Sequence, residues 1–139
     1  MKISSRGITV LLSVLLLAAF LVTPAAAARD PFRGVWVSID IDGSSQRLVV
    51  GGGRAGTYRA LFYDDGATVC GLDPDTGDIL YAAVARGPFT LSGNTISADL
   101  PITCLSRPPG SIGVYTLTFT YDAASDTLTD GIGVVWYRR

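Results

Sequence analysis

Asp75-Thr76-Gly77 is the stretch of this 139-residue chain that most resembles a piece of catalytic machinery. An Asp so placed activates water when two such carboxylates share one proton. Here the tripeptide follows Leu72-Asp73-Pro74, a turn, rather than the apolar strand that would deliver such a carboxylate, and Asp73 and Asp78 crowd it with like charge. An Asp-based hydrolase is therefore only a distant expectation. The same loop sets Asp73, Asp75 and Asp78 beside Gly77, while an earlier one sets Asp40 and Asp42 beside Gly43 and Ser44. Both are oxygen-rich enough for Ca²⁺, with Asp73, Asp75 and Asp78 the first place to look. Neither has alternate Asp residues closed by a distal bidentate Glu, and ordinary Asx turns account for both. No metal site is expected.

The remaining chemistry is sparse. There is no His and no Glu, and Lys2 is the only lysine, so acid–base work would fall to Asp, Tyr or the chain ends. Ser-His-Asp triads and His-rich metal sites are excluded. Gly51-Gly52-Gly53-Arg54-Ala55-Gly56 has the glycines of a phosphate cradle, but no Lys-Ser/Thr pair or helical pattern follows it, and a hairpin connection is expected. The expectation is a protein that is not an enzyme and carries no cofactor.

The chain opens on an address. Lys2 and Arg6 precede the uncharged apolar run from Ile8 to Val22, and Pro24 with Ala25-Ala26-Ala27-Ala28 follows. This is the pattern of a secretory signal peptide over 1–28, cleaved near Ala27 or Ala28, with an uncleaved anchor as the alternative. No Cys follows the run to take a lipid. Removal of the leader leaves 111 residues, 29–139, enough for a single domain in a secreted or periplasmic location. That domain carries nine Arg against twelve Asp, a net charge of −3 without a basic cluster, so neither nucleic acid nor a membrane surface is expected as partner, and a monomer is. In an oxidising compartment Cys70 and Cys104, the only cysteines, should pair; two buried free thiols are the alternative.

The scarcity of Glu, Lys and Gln removes the usual occupants of exposed helix faces, and abundant Gly, Asp, Ser and Thr suit strands joined by tight turns. Val35, Val37, Ile39 and Ile41 alternate in the opening strand, Asp42-Gly43-Ser44 turns it, and the chain returns as a second strand through Gln46 to Val50. Further strands are read over Thr57–Tyr63, Ala67–Gly71, Ile79–Ala85, Phe89–Leu91, Thr95–Cys104, Val114–Tyr121, Thr127–Asp130 and Val134–Arg138, with Leu105–Gly113 read as a long loop that is neither strand nor helix. About eight to ten short strands with no helix predict an all-β fold, a small antiparallel barrel in preference to a sandwich.

Gly34-Val35-Trp36 on the first strand and Arg138 on the last are similar to the closure of lipocalin-type (calycin) barrels, in which an Arg from the final strand stacks over a first-strand Trp. The segments DGSSQRLVVGGG, YDDGATVCG, SGNTIS and YDAASDTLTDGIGVVWYR also resemble a type of uncharacterised secreted bacterial domain. The calycin resemblance implies a non-enzymatic barrel that binds a small apolar or amphipathic ligand at its open end, with Trp36, Tyr58, Phe62, Tyr115 and Phe119 as the candidate contacts and Gly34, Trp36 and Arg138 as the structural closure. Those aromatics could equally fill a barrel of about eight strands. The rival expectation is a module that binds an extracellular protein, such as a protease inhibitor, through the Gly51–Gly56 or Leu105–Gly113 loops.

Overall fold

A computed structural model of the chain describes residues 30–53, 56–106 and 108–139. The expected leader and its cleavage point lie outside the described residues. The strands are β1 (Gly34–Ile39), β2 (Ser45–Gly52), β3 (Thr57–Asp64), β4 (Ala83–Ser92), β5 (Thr95–Cys104), β6 (Gly110–Asp122), β7 (Thr127–Asp130) and β8 (Val135–Arg138). Each pairs antiparallel with the next, and β8 returns to β1 through Trp36–Arg138 and Val37–Tyr137, closing an eight-stranded barrel. Closure pairs the first strand with the last, so neither terminal strand is left as the margin of an open sheet.

The interior is lined by apolar and aromatic side chains. Trp36, Trp136, Phe32, Phe89, Phe119, Leu48, Ile96 and Leu128 are all fully buried. The rings touch: Phe119 lies edge-on to Trp136 at 5.4 Å between centroids, and Phe89 stands 6.0 Å from Phe119. Three polar side chains share this interior near the end where β1 passes into β2. The Ser38 hydroxyl donates to Gln46 Oε1 at 2.9 Å, and Gln46 Nε2 donates to Asp64 Oδ2 at 3.2 Å, so these three side chains partner one another.

Four local expectations are corrected. The parity of β1 is the reverse of what its Val and Ile residues suggest: Trp36 and Ser38 point inward, while Ile39 is 62% exposed on the outer wall. The inward parity gives Trp36 a buried hydrogen bond to the Phe32 carbonyl and Ser38 a buried partner in Gln46, while Val35 and Val37 stay half-buried on the wall. Cys70 sits in a 3₁₀ turn, Thr68–Cys70, instead of a return strand. The apolar run Ile79–Ala85 is strand only from Ala83, and Arg86-Gly87-Pro88 lies inside β4, where Gly87 makes room for Leu100: a Cβ there would stand 2.4 Å from Leu100 Cδ2. Finally, Gly110 to Gly113 belong to β6, with a register shift opposite Ile102 and Thr103 that accommodates Gly113 at φ +134°. The disulfide between Cys70 and Cys104 ties the long β3–β4 connection to the end of β5.

Candidate functional site

The end of the barrel where the chain enters is sealed. Trp36 Nε1 donates to the Phe32 carbonyl at 2.8 Å, and Phe32 packs 5.4 Å from Tyr58 and 5.9 Å from Tyr121. Over the outer side of Trp36 lies the Arg138 guanidinium, its carbon 4.0 Å from the ring centroid. Arg138 Nε and Nη2 both reach Asp126 at 2.9 Å, Nη2 also donates to the Pro31 carbonyl at 2.7 Å, and Nη1 donates to the Arg33 carbonyl. The Asp126 carboxylate holds the guanidinium above its already high pKa, against the opposing effect of burial. Gly34 is required here, because a Cβ would stand 3.0 Å from Arg138 Nη1 and φ is +143°.

Of the five candidate ligand contacts, Trp36, Tyr58 and Phe119 are buried in the interior, and Phe62 is half-buried there, 6.0 Å from the Trp136 ring. Tyr115 is apart from them, 43% exposed on the outlying half of β6. The Asp73–Asp78 loop closes on itself. Asp73 Oδ1 accepts the N–H groups of Asp75 and Thr76, Thr76 Oγ1 donates to Asp78, and a Leu72–Ile79 bridge ties the loop's base. The Thr76 and Asp75 amides hold Asp73 below its ordinary pKa. Among the described residues no three His, Cys, Asp or Glu side chains are placed to hold a metal ion. No helix among them is long and apolar enough to cross a membrane.

A groove of about 1240 Å³ runs over the outer wall of β8, β1, β2 and β3. Its floor follows from register. Val37 is opposite Tyr137 on one side and Arg47 on the other, Arg47 is opposite Tyr63, and Val49 lies between Val35 and Leu61. Ile39, Ile41 and Val135 extend the apolar floor toward the β1–β2 turn, where Asp40 and Asp65 form a polar lip. Burial, opposed by the Ile41 amide and reinforced by the negative charges of Asp42, Asp64 and Asp130, raises the Asp40 pKa.

No family model, curated protein or solved structure matches the chain.

Residue types alone point past this groove, because an apolar side chain at a strand position is assigned to the core by default. The available signal is that β1 is apolar on both parities and that β3 offers Leu61 and Tyr63 as well as Tyr58, Ala60 and Phe62. A barrel strand apolar on both faces has one face left over. The groove gathers Ile39, Leu61, Tyr63, Val135 and Tyr137, exposed apolar side chains of a kind that an ordinary surface scatters singly.

Proposed function

We propose that this chain is a secreted, non-enzymatic binding protein that holds a small apolar or amphipathic ligand, and that the ligand lies in the outer-wall groove of β8, β1, β2 and β3. The observation that carries this reading is the joining of exposed Ile39, Leu61, Tyr63 and Tyr137 with half-buried Val37 and Val49 into one apolar surface across four strands. The interior aromatics contribute chiefly by making the wall rigid, since they pack ring against ring. The tyrosine hydroxyls and Arg47 give the floor polar points that orient a ligand with one apolar part.

Native mass spectrometry of the protein taken from its own host, before any lipid extraction, tests the proposal. A mass excess of a few hundred daltons that disappears on denaturation, and that is absent from Val49→Asp/Leu61→Asp, is expected. An excess that survives those substitutions, or its absence from the unsubstituted protein, would overturn it.

A module that binds an extracellular protein is a second reading with one observation in its favour. On β6, β7 pairs only with Phe119–Asp122, so among the described residues the second edge of Gly110–Thr118 joins no ladder. This uncharged segment exposes Ile112, Val114 and Tyr115. An extended partner strand would fit such an edge, and in the same experiment it would register as a polypeptide mass abolished by Val114→Lys.

A further inference from the structure

Beside the apolar groove, Arg59 and Arg86 form a cationic pair outside the ion pairs of the described residues. The outward carboxylate of the next strand, Asp99 on β5, stands across from Pro88 and accepts from the Thr116 hydroxyl at 2.6 Å. Arg86 is opposite Leu61, itself part of the groove floor, and Arg59 is opposite Pro88. The two guanidinium groups therefore rise from diagonal positions on adjacent strands, about 7–8 Å apart at their origins. They border a cleft of about 420 Å³ completed by Ala60, Gly87 and Pro88. The β4–β5 ladder stops beside this cleft: pairs form at Ala83–Cys104 and Val84–Thr103, then resume only at Thr90–Ser97. Pro88 and Pro101 fall in the interval, and each withholds an N–H from the ladder.

Charge is segregated along the wall. At one end of the groove stand Asp40 and Asp65; beyond the other stand Arg59 and Arg86. From Asp65 to Arg59 along β3 is about 20 Å at the rise of a strand, with Leu61 and Tyr63 between them. The outward residues of β2, β3 and β4 include three arginines and no acid. The ion pairs among the described residues are Arg33–Asp30 and Arg138–Asp126, neither of which engages this pair.

Building on the reading of the groove as a ligand site, we propose that its ligand is an anionic single-chain amphipath. The apolar chain lies on Val49, Leu61 and Tyr63, and the acidic head is held by Arg59 and Arg86. Charge complementarity fixes the direction: an anionic head at the opposite end would meet Asp40 and Asp65. Two forked guanidinium donors suit a phosphate or carboxylate, whose oxygens accept paired N–H groups, and would discriminate against a head whose net charge is zero.

The test compares two lysophospholipids with the same fourteen-carbon chain, lysophosphatidylglycerol and lysophosphatidylcholine, titrated as monomers into the protein by calorimetry. The anionic lipid should bind about tenfold more tightly, an advantage that fades as salt is raised. In Arg59→Gln/Arg86→Gln the advantage should vanish while affinity for the zwitterionic lipid stays within twofold. Both positions are exposed, so the fold should tolerate the change, and an unaltered melting temperature verifies it. Equal binding of the two lipids by the unsubstituted protein, or a preference that survives in the double variant, would overturn the head-group assignment and leave the groove reading standing. Binding of neither lipid would overturn both. Attachment to phosphatidylglycerol vesicles without binding of the monomeric lipid would replace the single-chain ligand with a membrane surface and so refute the proposal.

Discussion

Arg138→Ala should be among the most damaging single changes to the barrel outside its interior. The side chain is 8% exposed and joins the last strand to the Trp36 ring, to Asp126 and to the Pro31 and Arg33 carbonyls. A partly desolvated cation on an indole contributes about 1–2 kcal/mol, and charge-assisted hydrogen bonds to a carboxylate about 1.5–3 kcal/mol. Asp126 is 47% exposed, so water replaces part of what it loses, which places the total near the low end, about 3 kcal/mol. With an unfolding entropy of about 2.1 cal/mol/K per residue over the barrel, the melting temperature should fall by about 12–14 °C. Scanning calorimetry at neutral pH, with near-ultraviolet circular dichroism to follow the indoles, measures it. Arg138→Lys should lose about half as much, because an ammonium keeps its charge over Trp36 but cannot fork between Asp126 and two carbonyls. A loss below about 3 °C for the alanine variant, or equal losses for the two variants, would refute the account of this contact.

Cys70→Ser/Cys104→Ser should destabilise the fold by about 3–4 kcal/mol, the chain-entropy value for a loop of 34 residues; denaturant titration checks it, and reduction of the unsubstituted protein should reproduce the shift. Asp40→Asn should raise the melting temperature by about 1–3 °C at pH 7 and have no effect near pH 3. Folding raises the pKa of Asp40 above its unfolded value, so its carboxylate costs stability at neutral pH, and that cost is relieved as pH falls through the raised value toward 3.8. Gly87→Ala should lower stability by about 1–3 kcal/mol, because the new Cβ would occupy the place of Leu100 Cδ2; Gly87→Ala/Leu100→Val should recover part of the loss in the same titration.

The barrel was legible because its turns and alternation agree: Asp42-Gly43, Gly93 and the Asp122–Asp126 connection each fall between runs of period two, and eight such runs without a helical pattern close most economically on themselves. The pairing of Cys70 with Cys104 followed from the count of cysteines and from the oxidising compartment that the expected leader implies. What misled was position relative to the wall. Ile79, Leu80 and Tyr81 look like a strand by type, yet they belong to a connection pinned by the Ala67–Tyr81 backbone bond and the disulfide turn. The start of β6 was hidden by Pro108-Pro109 and Gly110, which look like a continuing loop, whereas β5 offers Thr103 and Cys104 as partners to Ser111 and Gly110. The groove was hidden for a related reason. Val35, Val37 and Ile39 are adjacent to Trp36 in sequence, and only the closure with β8, from a hundred residues away, decides which parity faces in.

That closure also governs the order in which the barrel is completed. The seam joins Trp36 to Arg138, and its clamps span 105 and 107 residues of sequence. A chain that emerges N-terminal end first therefore presents β1 to β7 as a curved ribbon with two raw margins, and Trp36 has neither its β8 neighbour nor its guanidinium lid until the final strand appears. The seam is the most non-local strand pairing of the barrel, so its loop-closure entropy is met before any contact rewards it.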